Sequence, residues 1–176
     1  MQKITLFFLA VMTAFTISSC KKTEEVAPAT VVGIWKGVEI GAISNTKTYK
    51  VAPGIVVKSG TSTTVTVKPF TYEFKEDGMA ILGTVTGTYK LSTDKKKVVL
   101  TSKDGDFNYE ILSLTSTDLQ LACVKLTKKA TDSYDPTTYE SFLSYLYAAY
   151  ALVGGGGTEA DIDKSTSLQA TISFKK

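Results

Sequence analysis

The run Thr84-Val85-Thr86-Gly87-Thr88-Tyr89-Lys90-Leu91 puts Val85, Gly87, Tyr89 and Leu91 on one side and Thr84, Thr86, Thr88 and Lys90 on the other. A period of two with one apolar and one hydroxylic or charged side belongs to a half-buried β-strand. The pattern continues in both directions. Upstream, Glu76-Asp77-Gly78 has the composition of a hairpin turn and leads into a short strand over 79–82. Downstream, Asp94-Lys95-Lys96 turns the chain into 97–102, Asp104-Gly105 turns it into 107–114, and Ser116-Thr117-Asp118 leads into 118–126. Within that last strand Leu119, Leu121 and Cys123 share a face. Strands joined one after another by tight turns form an antiparallel meander.

Further out, a first strand is expected over 31–40, followed by a long connection over 41–63 that contains Pro53-Gly54 and Ser59-Gly60. In the next strand, 63–75, Val65 and Val67 are odd whereas Phe70, Tyr72 and Phe74 are even, so a bulge is expected at Lys68-Pro69. One segment departs from the period of two. Asp135 as N-cap, Pro136 at the first helical position and the stop at Gly154-Gly155-Gly156-Gly157 predict a helix of about eighteen residues. Tyr139, Phe142, Leu143, Leu146, Tyr150 and Val153 form one stripe, while Tyr145, Tyr147 and Leu152 leave its second half apolar all round. Two readings follow: a buttress that buries Phe142, Leu146 and Tyr150 against the sheet, or a recognition surface that exposes Tyr145 and Tyr147. The polar stretch 158–166 leads to a last strand over 167–174. Eight strands, with one helix before the last, predict an all-β fold: an eight-stranded antiparallel up-and-down barrel.

All 20 cations are lysines, and the chain has no arginine and no histidine. Histidine-dependent catalysis and His-containing zinc sites are thereby excluded. A formal charge of only +3, spread along the chain and without a guanidinium fork, argues against nucleic acid as a partner. Asp104, Asp106 and Asn108 have the spacing with which calcium loops begin, but Tyr109 and Thr115 stand where glycine and glutamate are required, so this is read as a turn and no metal is expected. Glu73, Glu76 and Asp77 cluster at another turn, and no carboxylate is placed opposite them. Cys123 reads as a small buried hydrophobe. No cofactor and no catalytic residue are expected; the chain is read as a non-enzyme.

At the N-terminus, Lys3 precedes an apolar run over 4–17, shorter than the roughly 18 residues a span needs. The run closes on Ile17-Ser18-Ser19-Cys20, which resembles the bacterial lipobox. The resemblance implies a signal peptide over 1–19, a Cys20 that carries fatty acyl (palmitate-type) chains, and a polar tether over 20–30 leading to a domain over 31–176. Lys21-Lys22-Thr23-Glu24-Glu25 is similar to the charged export signal of Bacteroidota lipoproteins, which implies an outer-membrane, lipid-anchored protein that can face the cell surface.

Gly33-Ile34-Trp35 at the first strand is similar to the lipocalin Gly-x-Trp, and Tyr72-Glu73-Phe74 before Asp77-Gly78, Gly87-Thr88-Tyr89 and Tyr109-Glu110-Ile111 have counterparts in the same domain. The chain thus resembles the lipocalin-like lipoproteins of Bacteroidota over most of 31–176. That resemblance implies a barrel plugged at its closed end by Trp35, with the 41–63 connection over the open end. It also implies a departure: lipocalins lay an arginine against that tryptophan, and here Lys125 or Lys175 would have to cover the indole. Phe70, Tyr72, Phe74, Tyr89, Phe107 and Tyr109 are expected to point inward as candidate ligand-binding residues, either lining an apolar pocket or filling the core. Two functions are carried forward. One is uptake of a small apolar ligand by the barrel. The other is an adhesion or assembly module that docks a protein or glycan through the Tyr-rich helix or the 41–63 loop.

Overall fold

The computed structural model describes residues 29–59, 63–129, 133–134 and 136–176. The signal segment 1–19, Cys20 and the tether up to Pro28 lie outside the described residues, as does Asp135. The strands are β1 (Gly33–Ser44), β2 (Lys47–Val51), β3 (Val56–Ser59), β4 (Thr63–Thr66), β5 (Thr71–Phe74), β6 (Met79–Leu82) and β7 (Val85–Leu91), then β8 (Lys97–Ser102), β9 (Gly105–Leu114), β10 (Asp118–Ala122) and β11 (Leu126–Thr127). Two helices follow, α1 (Tyr139–Gly154) and α2 (Glu159–Lys164), before the last strand, β12 (Ser167–Lys175).

Eight of these strands close a barrel. β5 to β10 pair in sequence order, β10 pairs with β12, β12 with β1, and β1 with β5, all antiparallel. The turns between them are those marked by Gly and Asp: Gly78 sits at φ +84, and Asp77 Oδ1 accepts from Met79 N at 2.9 Å. The backbone there needs a left-handed residue, and the carboxylate closes the turn. Tyr72, Phe74, Leu100, Leu119, Leu121, Ile172, Phe174 and Trp35 are buried together as one core.

β1 and β12 run on past the barrel. Their far halves pair from Ile40↔Ile172 to Ser44↔Leu168, with β2 added on one flank and β11 on the other. α1 packs on β1, β2 and β12 of this extension, and its first turn reaches β9. The 41–63 connection is therefore corrected: it holds the end of β1, all of β2 and β3, and the start of β4. The single strand expected over 63–75 is likewise two strands, because β4 pairs with β3 in a separate hairpin while β5 belongs to the barrel. The chain breaks at Lys68-Pro69 rather than bulging, and the bulge lies on β1 instead, between Gly37 and Glu39. One extra residue there moves the buried set from the odd position Trp35 to the even positions Ile40, Ala42 and Ser44.

The helix start is also corrected. Thr138 is the N-cap of α1, and its hydroxyl and that of Ser141 close a reciprocal capping box, so Pro136 and Thr137 precede the helix. The stretch 158–166, read as polar linker, contains α2 with a second box between Thr158 and Asp161.

Candidate functional site

The closed end of the barrel is built around Trp35. It is fully buried, and its indole N–H donates to Val31 O at 2.6 Å. The cation over its ring is Lys176, 4.8 Å from the ring centroid, which corrects the expectation of Lys125 or Lys175. Lys175 faces out and pairs with Asp118 at 2.6 Å, and Lys125 lies past the end of β10 at the other end of the barrel. Neighbouring strand residues point to opposite faces, so only the next one, Lys176, can turn over the plug.

The six aromatic residues chosen from sequence divide into groups. Phe74 and Tyr89 meet edge to face at 5.1 Å, and the Tyr89 hydroxyl donates to Lys75 O at 3.0 Å, near the closed end. Phe70 packs between Tyr72 and Phe174, with centroids at 5.9 and 5.7 Å. It can do so because Gly37 lacks a side chain: a Cβ there would run into the Phe70 ring. Tyr72, Phe107 and Tyr109 line one cleft of about 30 Å³, completed by Leu82, Val85, Leu100, Leu143 and Tyr147. That volume is roughly one water's share of the liquid, against ~300 Å³ or more for a ligand pocket. Among the described residues, aromatic side chains fill the interior around this cleft.

The cleft is roofed by α1, through a face other than the expected one. Ser144, Ala148, Ala151 and Leu152 are buried, with Leu143, Tyr145 and Tyr147 packed against the core, whereas Phe142 is 47% exposed. The stripe of Phe142, Leu146 and Tyr150 is thus not the buried one, and Tyr145 and Tyr147 do not stand free. Small residues win the contact because they let the helix axis approach the strands closely.

The first turn of α1 also satisfies an open sheet edge. β10 pairs with β9 only from Glu110 onward, which leaves the Asn108 N–H without a strand partner on that side. The Glu140 carboxylate accepts from this N–H and, at 3.2 Å, from Asn108 Nδ2. Asn108 is thereby engaged by a helix, not poised in a cation loop.

Burial dominates the electrostatics under the helix. It pushes the Tyr72, Tyr109 and Tyr147 hydroxyls up, and it raises the Cys123 thiol to about 12, with the nearby Glu140 charge adding to the effect. The Tyr72 and Tyr109 rings lie edge to face with centroids 6.4 Å apart, and the Ser144 hydroxyl donates to Glu140 O at 2.9 Å. The raised values keep these groups neutral, and among the described residues no buried side-chain nitrogen or oxygen lacks a partner, which suits a core.

More room lies outside the barrel. A groove of about 190 Å³ is lined by Ser44, Asn45, Thr46, Lys47, Tyr49, Asp161 and Lys164, where the β1–β2 turn meets α2. Asn45 sits at φ +54, and its Oδ1 accepts from Thr166 N at 2.9 Å, Thr166 Oγ1 at 2.8 Å and Ser167 N at 3.2 Å. Asp161 Oδ2 accepts from Thr158 N and Oγ1, each at 2.8 Å, and these bonds, with Lys47 and Lys164 nearby, hold its carboxyl below the usual range. A second depression, about 300 Å³, surrounds the β1 bulge at Val38, but its charges are taken: Glu39 pairs with Lys50 at 3.0 Å and Asp118 with Lys175.

The rim residues from Ser44 to Tyr49 fall within the 41–63 segment that the sequence offers as a docking loop, but none is singled out there, and Asp161 and Lys164 are not candidates because 158–166 reads as a polar linker. The available signals are Asn45-Thr46 as a two-residue turn between alternating segments and the spacing of Thr158 to Asp161 as a helix start.

The comparisons agree with this architecture. The family description "lipocalin-like domain" matches residues 31–121, just over half of the chain, from the strand that carries Trp35 to the end of the meander. No curated protein and no solved structure matches. A closed eight-stranded meander plugged by the tryptophan of Gly33-Ile34-Trp35, together with that match, places the chain in the lipocalin-like domain family.

Proposed function

We propose that the chain is a non-catalytic, lipid-anchored lipoprotein of the outer membrane whose filled barrel presents a recognition rim for a carbohydrate-type partner. The observation that carries this reading is where space lies: about 30 Å³ inside the barrel, and about 190 Å³ at the rim formed by the β1–β2 turn and α2. Ile17-Ser18-Ser19-Cys20 supplies the acylation site, and two acyl chains suffice for stable attachment. The geometry of β1 supports the orientation. The tether joins it at the Trp35 end, and its twelve residues carry the chain ~35 Å further to the rim, so the rim faces away from the lipid.

A second reading, uptake of a small apolar molecule by the barrel, is favoured by the cluster of Tyr72, Tyr109 and Tyr147 beneath α1, which offers hydroxyl groups beside an apolar wall. The two are separated by titrating the full chain with an apolar fluorescent naphthylamine. The rim reading expects no saturable enhancement and no rise in melting temperature. Saturable one-to-one uptake, abolished by Leu143→Trp in the cleft, would overturn it in favour of the barrel.

A further inference from the structure

We infer that the rim groove takes an acidic sugar, a pyranose ring that carries a carboxylate, held between Lys47 and Lys164 and set against the ring of Tyr49. The inference rests on the rim reading above and gives it a ligand class. Among the described residues these two ammonium groups make no hydrogen bond or ion pair, unlike the lysines around the β1 bulge. Asp161, the carboxylate between them, already has one oxygen committed to Thr158. Those bonds leave the charge of Asp161 in place, so two ammonium groups face one carboxylate and the lining keeps one positive charge for a ligand anion.

The remaining groups argue for a sugar rather than a bare anion. Asn45 Oδ1 is occupied by Thr166 and Ser167, so its amide N–H₂ is left as a donor, and the Thr46 hydroxyl lines the same groove. The free oxygen of Asp161 accepts. Mixed donors and an acceptor within one groove match ring hydroxyls, which both donate and accept. Tyr49 supplies an apolar wall that is held in place, because Gly157 has no side chain: a Cβ there would lie 2.8 Å from the Tyr49 ring and 2.6 Å from Leu152. Hydrogen bonds fix Asn45 and Asp161 before any ligand arrives, so the ordering cost falls mainly on the Lys47 and Lys164 side chains.

The test is a calorimetric and NMR titration of the full lipidated chain in detergent micelles with methyl glucuronide, methyl glucoside, acetate and inorganic phosphate. Saturable binding of the glucuronide is expected, with amide shifts confined to 44–49 and 158–166. The neutral glucoside should bind at least about tenfold more weakly, and Lys47→Gln with Lys164→Gln should cost the glucuronide a similar factor without moving the melting temperature. Lys90→Gln, on the outer face of β7, should leave binding unchanged. Equal affinity for glucoside and glucuronide would refute the acidic-sugar assignment while leaving the rim reading intact. Acetate or phosphate binding as tightly as the glucuronide would refute it in favour of a simple anion site. Absence of shifts at 44–49 with every probe refutes the inference, and saturable naphthylamine uptake in the same preparation would show that the rim reading has failed with it.

Discussion

Trp35→Ala is expected to destabilise the domain by about 5 kcal/mol or more. The indole is fully buried, and truncating a buried aromatic side chain costs ~3–5 kcal/mol through lost transfer energy and the cavity left behind. Loss of the bond from Trp35 Nε1 to Val31 O leaves a buried carbonyl without its partner, a further ~1 kcal/mol. The Lys176 ammonium over the ring contributes less, since an exposed cation–π contact amounts to ~0.5–1 kcal/mol. Domains of this kind have ~5–15 kcal/mol in total, so the variant should populate unfolded chain at physiological temperature. Urea unfolding followed by far-ultraviolet circular dichroism measures this without relying on the missing fluorophore. Two further variants separate the contributions: Trp35→Phe should cost about 2 kcal/mol, and Lys176→Ala under about 1 kcal/mol. A Trp35→Ala midpoint within error of the parent would refute the plug. Lys176→Ala as damaging as Trp35→Ala would instead show that the cation, not the indole, closes the barrel.

The face of α1 is tested by Ala148→Leu, expected to cost ~1–3 kcal/mol because extra methylenes enter a filled contact, against Phe142→Ser, expected to fall within ~0.5 kcal/mol of the parent; the reverse order in thermal melts would put the helix on its other side. Raised pKa values under the helix make stability pH-dependent on the alkaline side. Cys123 and the Tyr72 and Tyr109 hydroxyls ionise more readily in the unfolded chain, so stability is fully present at neutral pH and falls as pH rises from the ordinary thiol range towards about 12. Tyrosine absorbance at about 295 nm should therefore show one fraction titrating only as circular dichroism is lost, and smooth titration of every tyrosine in the folded protein would contradict this. Cys20→Ala should move the chain from the membrane to the soluble fraction; a variant that still sediments with membranes and carries acyl chains would disprove the anchor.

The meander is legible where turn chemistry and period two agree. Glu76-Asp77-Gly78, Asp94-Lys95-Lys96 and Asp104-Gly105 each mark a hairpin whose strands fall close to the expected bounds. Legibility fails where those signals separate. The β1 bulge at Val38 shifts the buried set by one residue, so the alternation of Ile40, Ala42 and Ser44 looks out of phase with Trp35, and β2 to β4 are short, hydroxylic and lysine-rich. The helix face is obscured for another reason. Hydrophobic size singles out Phe142, Leu146 and Tyr150, whereas close approach to the strands selects Ser144, Ala148 and Ala151. Of the aromatic set, period two correctly aims Tyr72, Phe74, Phe107 and Tyr109 inward, but it says nothing of height along the barrel, which is what divides the closed end from the cleft.

An eight-stranded barrel is just wide enough to be filled by side chains or to hold one small ligand, and the residues beneath α1 decide between these outcomes. A guest inside would have to lift α1, returning Leu152, Ala148, Ala151 and the packed parts of Leu143 and Tyr147 to water. At ~25 cal/mol per Å² this exposure costs ~5 kcal/mol or more, before the bond between Glu140 and Asn108 is broken. Each ~1.4 kcal/mol is tenfold in affinity, so a guest of intrinsically micromolar affinity would bind only in the millimolar range. A rim ligand meets no such penalty, because Asn45, Asp161 and Tyr49 are already held by Thr166, Thr158 and the contact at Gly157. The packing that stabilises the barrel is thus what supports the proposed recognition at its edge. Shortening the helix contact tests the trade-off: Leu152→Ala should lower the melting temperature and at the same time raise naphthylamine uptake, while methyl glucuronide binding at the rim stays within about twofold. A Leu152→Ala protein that melts lower but takes up no more probe would show that the barrel core, and not the helix, is what keeps the interior closed.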